Sequence, residues 1–80
     1  MVTFTVEDIR TPQRLERVLR QFGRELLRPI TFTISNLDRP EELERVLQQF
    51  ALQAPFVFTL DELRKPETLE RVLRRLQQAL

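Results

Sequence analysis

The sequence contains no cysteine, no histidine, no tryptophan and no tyrosine, and its 80 residues include a single glycine. Without cysteine there are no disulfide staples, thiolate zinc sites, iron–sulfur clusters or thiol chemistry. Without histidine the commonest general base, transition-metal ligand and pH switch are all missing. The longest uninterrupted apolar run is three residues, against the ~20 needed to cross a bilayer, and no signal-peptide apolar stretch follows Met1. These features predict a soluble, untargeted chain with no membrane partner. Charge of one sign is also lacking, since 13 Lys and Arg face 12 Asp and Glu for a net +1. That balance argues against a dedicated nucleic-acid binder, which carries a basic excess.

What is present is repetition. VTFTVEDIRTPQRLERVLRQF from Val2, ITFTISNLDRPEELERVLQQF from Ile30 and FVFTLDELRKPETLERVLRRL from Phe56 align at successive offsets of 28 and 26 residues. Phe4, Phe32 and Phe58 coincide, as do Pro12, Pro40 and Pro66, and Leu15, Leu43 and Leu69. Three units (2–29, 30–55 and 56–80) fill one domain spanning residues 1–80. Repeats of this period stack to bury apolar faces that one unit cannot bury alone.

Each unit opens with strict alternation. Val2, Phe4 and Val6, then Ile30, Phe32 and Ile34, then Phe56, Phe58 and Leu60 form inward sets, with Thr3, Thr5, Thr31, Thr33, Ser35, Val57 and Thr59 outward. This pattern predicts half-buried strands. Each proline marks a first helical turn, where its missing N–H costs nothing. Apolar positions then trace helical stripes: Leu15, Val18, Leu19, Phe22 and Leu26; Leu43, Val46, Leu47 and Phe50; Leu69, Val72, Leu73, Leu76 and Leu80. Glu16 with Arg20, Glu41 with Arg45, Glu67 with Arg71 and Glu70 with Arg74 stand at the i,i+4 spacing that favours ion pairs. The first helix is expected to run through Gly23 to about Leu27.

Short connections at Arg28-Pro29 and Ala54-Pro55 predict parallel strands. The expected fold is therefore α/β: three βα repeats in two layers, with a three-stranded parallel sheet in order 1-2-3 and all helices on one face. Order 2-1-3, with helices on both faces, is the alternative. The sheet's other face would carry Thr3, Thr5, Thr31, Thr33 and Thr59, and a homodimer through it is the expected partner interaction where there is one.

The connections after the strands are where α/β sheets bind ligands. Arg10, Arg39, Arg64 and Lys65 lie there and are the candidate ligand residues for an anionic metabolite, helped by helix N-termini. No glycine lies in these loops, so a phosphate-cradling turn is not expected. On the structural reading Glu7, Ser35 and Asp61 are local caps, and Ile9, Leu37 and Leu63 plug the end of the core. Asp8, Asp38, Asp61 and Glu62 follow no metal-ligand spacing, and no metal or cofactor is expected. No acid pair or nucleophile with a partner base is placed, so no catalytic residues are assigned. Arg14, Arg17, Arg20, Arg24 and Arg28 read as a solvated helix face, without Tyr or Trp for base stacking.

Two resemblances follow from these motifs. NLDRPEELERVLQQF after ITFTI resembles the strand-turn-helix start of an ACT regulatory domain, which implies a small-effector site, although Glu41 stands where that family has glycine. The whole chain resembles computationally designed α/β proteins, with near-unbroken binary patterning and a proline opening every helix. This implies an idealised scaffold selected for folding and not an enzyme, the alternative being a small ligand-binding module.

Overall fold

The computed structural model describes residues 2–26 and 30–80, and these contain helices and extended segments but no paired strand. Three α-helices, α1 (Pro12–Glu25), α2 (Pro40–Gln53) and α3 (Pro66–Ala79), are each preceded by a one-turn 3-10 helix at Val6–Ile9, Ile34–Leu37 and Leu60–Leu63. The expected parallel sheet, in either strand order, is therefore corrected: the α/β, βα-repeat architecture is replaced by an all-helical one. The repeat itself remains visible, since every unit runs extended segment, 3-10 turn, α-helix.

The local reason is a cap. Thr5, Thr33 and Thr59 are extended, with φ from −127° to −121°, and each precedes its 3-10 turn as an N-cap. Their backbone N–H groups donate to side chains three residues on: Asp8 at 3.0 Å, Asn36 at 2.8 Å and Glu62 at 2.9 Å. This half of a capping box stops the extended backbone after four or five residues. Val6, Ile34 and Leu60, expected as inward strand residues, instead open the turns, and Ile34 is 38% exposed.

The tertiary reason is that helices stand between the extended segments. The turn of each unit packs on its own helix and on the helix of the preceding unit: the second turn touches α1 and α2, the third α2 and α3, and the first α3 and α1. The series closes on itself. The result is a three-unit ring with two equal short extents, 27 × 22 × 22 Å, and among the described residues no extended segment pairs with another. Their backbone groups are met by helix side chains: the Gln49 amide takes both Thr31 N–H (3.3 Å) and Thr31 C=O (2.9 Å), and Arg75 donates to Val57 C=O (2.9 Å).

The helices follow the expected stripe. Leu15, Val18, Leu19 and Phe22, then Leu43, Val46, Leu47 and Phe50, then Leu69, Val72, Leu73 and Leu76 are buried, while Leu26 is partly buried and Leu80 is 46% exposed. Ile9, Leu37 and Leu63 are buried as plugs at one end of this core. Of the four i,i+4 pairs, Glu16–Arg20 (3.3 Å) and Glu70–Arg74 (3.2 Å) form, whereas Glu67 pairs across the ring with Arg10. The inward and outward sense of the extended segments is also as expected, with Phe4 and Phe32 buried and the threonines exposed. These threonines occupy three separate segments, so the sheet face expected to carry Thr3, Thr5, Thr31, Thr33 and Thr59 does not exist among the described residues.

Helix α1 passes through Gly23 and ends at Glu25; Leu27, to which it was expected to run, and the Arg28-Pro29 connection lie outside the described residues. A Cβ at Gly23 would meet nothing within 4 Å. Gly23→Ala is expected to add about 0.5–1 kcal/mol, read as a higher urea midpoint by far-UV circular dichroism. Phe32→Ala removes a buried ring and is expected to cost about 3–5 kcal/mol in the same assay. An unchanged midpoint for Phe32→Ala would contradict the packing described.

Candidate functional site

The four candidate ligand residues share one place. Arg10, Arg39, Arg64 and Lys65 all line a depression of about 180 Å³ where the starts of the helices meet around the ring's axis. Its floor is the plug layer, Ile9, Leu37 and Leu63 with Leu15, Leu43 and Leu69. The repeat explains the convergence, because Arg10 and Arg64 are equivalent positions, as are Arg39 and Lys65, and a closed ring brings equivalent positions to one axis.

The charge there is balanced. Arg10 pairs with Glu7 at 3.0 Å and with Glu67 of the third unit at 3.6 Å, and Arg64 pairs with Asp61 at 3.4 Å. Asp38 lines the depression beside Arg39. Four cations thus meet four carboxylates. A pole without net charge, floored by leucines, offers an oxyanion little beyond local dipoles. Asp61 and Glu7 act here as ion-pair partners. The capping role expected of Glu7, Ser35 and Asp61 instead falls to Thr5, Thr33 and Thr59 with Asp8, Asn36 and Glu62. That spacing, Thr-x-x-Asp/Asn/Glu in every unit, was readable in the sequence as a capping signature.

Sequence reasoning also missed the residues that hold the extended segments. Arg75 grips Glu62 through two bonds, 2.9 and 3.1 Å, while donating to Val57 C=O. Its guanidinium, followed by the Thr59 N–H, holds the Glu62 carboxyl below the usual glutamate range, and Glu62 in turn raises Arg75. Arg20 lies over the Phe32 ring at 4.6 Å and Arg74 over Phe4 at 4.5 Å. Arg20, read from sequence as part of a solvated face, therefore packs on the next unit's phenylalanine.

The opposite pole has a wider depression of about 430 Å³, lined by Glu25, Leu26, Leu52, Gln53, Ala54, Ala79 and Leu80 at the helix ends. Leu52 is 84% exposed there. Among the described residues no group of three acidic or other metal-ligating side chains could hold a metal ion, and no helix is long and apolar enough to cross a membrane. No family model, no curated protein and no solved structure matches this chain.

The depressed Glu62 pKa has a pH consequence. A carboxyl held lower in the folded state than in the unfolded one stabilises the fold above its unfolded pKa, and that contribution is lost as pH falls through the folded value. Glu62→Gln is expected to lower the urea midpoint at pH 7 and to shrink the difference between pH 7 and pH 3, leaving a smaller acid slope than the native chain shows. Identical slopes would mean that the Arg75–Glu62 pair does not contribute.

Proposed function

We propose that this chain is a self-sufficient folding scaffold and not an enzyme: a ring module whose sequence is spent on closing itself. The observation that carries the reading is the core. All 19 residues buried among the described ones are apolar, with no buried polar or charged side chain and no buried side-chain polar atom lacking a partner. Catalytic sites tend to hold polar groups in partly desolvated settings, and local rules tend to break there. Here the core, the Thr-led caps and the proline at each helix start agree with one another across all three units. The near-perfect repetition, with Pro at every helix start and a Thr-led cap at every turn, supports the same idealised character.

A scaffold of this kind folds without a partner. Its melting temperature by circular dichroism is expected to stay constant over about a hundredfold range of protein concentration, because no association is linked to folding. A melting temperature that climbs with concentration would show that a second copy completes the fold, and would overturn the reading.

A further inference from the structure

All junctions of the ring are of one kind, the turn and extended segment of one unit set against the helix of the unit before it. The third unit (56–80) therefore sits between two such junctions, its own segment on α2 and its helix α3 on the first segment. On the α2 side it is held less deeply than its equivalents: Phe58 is only partly buried, whereas Phe4 and Phe32 are 4% and 7% exposed. On the other side the closing contact has no covalent tie, and rests on Gln77 with Val2 C=O, Arg74 with Phe4 C=O and Glu67 with Arg10.

The covalent tie between the second and third units is short. Helix α2 ends at Gln53, Ala54 is extended (φ −137°, ψ 93°) ahead of Pro55, and Phe56 opens the third unit. The three steps from Gln53 to Phe56 span about 10 Å at most. This tie lies at the pole where the ring shows its apolar surface. Gln53 and Ala54 line the depression of about 430 Å³ together with Leu52, 84% exposed, and Leu80, 46% exposed. Val2 and Gln77 of the closing contact line a second depression that shares Leu80 with the first.

We propose that two copies of this chain exchange their third units, each ring closing on residues 56–80 of the other copy, with Leu52 and Leu80 of the two copies meeting pole to pole. A third unit that leaves its ring finds the same α2 wall and the same Val2 to Phe4 segment on a second copy, so both junctions re-form and the change is confined to the connection. Because two connections of this length must cross from ring to ring, the poles that carry them are held in contact, and exchange covers a leucine that the single ring leaves in water. Within one chain the third unit is offered to its own ring at an effective concentration on the order of 1 mM, so copies exchange only as the protein itself approaches that level. The inference goes beyond the scaffold reading, since the ring is complete before exchange and its melting temperature stays constant in dilute solution.

The test holds the full chain at about 1 mM and at about 10 µM, below its melting temperature, and reads mass by light scattering on a sizing column. A dimer is expected in the concentrated sample and a monomer in the dilute one. In a concentrated mixture of nitrogen-labelled and carbon-labelled copies, nuclear Overhauser contacts between copies are expected from Phe4 to Arg74 and from Val2 to Gln77. Leu52→Gln is expected to keep the dilute melting temperature and to weaken dimerisation by about tenfold. A chain that stays monomeric in the concentrated sample, a dimer whose contacts between copies involve the pole leucines alone, or unaltered dimerisation in Leu52→Gln would each overturn the proposal. Should Leu52→Gln lose its fold, Gln77→Ala replaces it. That variant loosens a contact the single ring and the exchanged pair share, so it is expected to reach the same dimer fraction faster, and an unaltered rate overturns the exchange.

Discussion

Everything in this molecule depends on one contact, a phenylalanine-bearing extended segment wedged between two helices that are consecutive around the ring. Phe4 is buried, meets Phe22 of its own unit edge-on at 5.9 Å, and is covered by Arg74 of the third. Phe32 is covered in the same way by Arg20 of the first. The position equivalent to these arginines in α2 is Gln48, which brings no cation to Phe58; that ring stays half-buried and stacks on Phe56 at 5.3 Å. An arginine over an aromatic face contributes about 0.5–1 kcal/mol where water still reaches it. The larger share comes from the buried rings and leucines, and the arginines close the lid over them.

Because every wedge uses the helix of the preceding unit, the fold is an assembly of interfaces that happens to be written on one chain. The two junctions that follow the sequence are held together by the peptide linkage itself. The third, between α3 and the segment at Val2, has no such link and must be held by contact alone. Gln77 donates to Val2 C=O, Arg74 reaches Phe4 C=O at a long 3.5 Å, and Arg10 meets Glu67 at the other end of the same junction. The positions equivalent to Gln77 in α1 and α2 are Gly23 and Ala51, neither of which carries a side-chain donor. The polar fastening is thus added at the seam where the chain supplies no covalent tether.

Much of this was legible in the sequence. The repeat, the three proline-led helix starts, the buried stripes and the plug residues Ile9, Leu37 and Leu63 all follow from spacing, because helix initiation and amphipathicity are local properties. The sheet was misread for a physical reason. Alternation in VTFTV or ITFTI specifies an extended backbone with one buried face, but not what will satisfy its N–H and C=O groups. Here the side chains of Gln49, Arg75 and Gln77 do so in place of a neighbouring strand. The cap at Thr5, Thr33 and Thr59 also cuts each run short. Arg10, Arg39, Arg64 and Lys65 were grouped as loop residues at the carboxyl ends of parallel strands; that sheet is absent among the described residues, and they meet because a closed ring brings equivalent positions together. Their cancellation was not legible, since Glu67 reaches Arg10 from a different unit.

The repeat also shows which positions the fold constrains and which it leaves to vary. In a ring of equivalent units, a change that merely preserves packing leaves the polar groups in the groove between each extended segment and its helix paired in their own way, as Asn36 with Glu42 in the second and Glu62 with Arg75 in the third. The first unit has Arg14 where the others have Glu42 and Thr68, and it lacks the acid that would favour the start of α1. Exposed charges of this kind cost the fold little, which is why the ring tolerates them. A cation in an unfavourable helix turn on the solvated side of α1 is a small departure that a closed apolar core absorbs, so the grooves drift from unit to unit while the buried stripes do not.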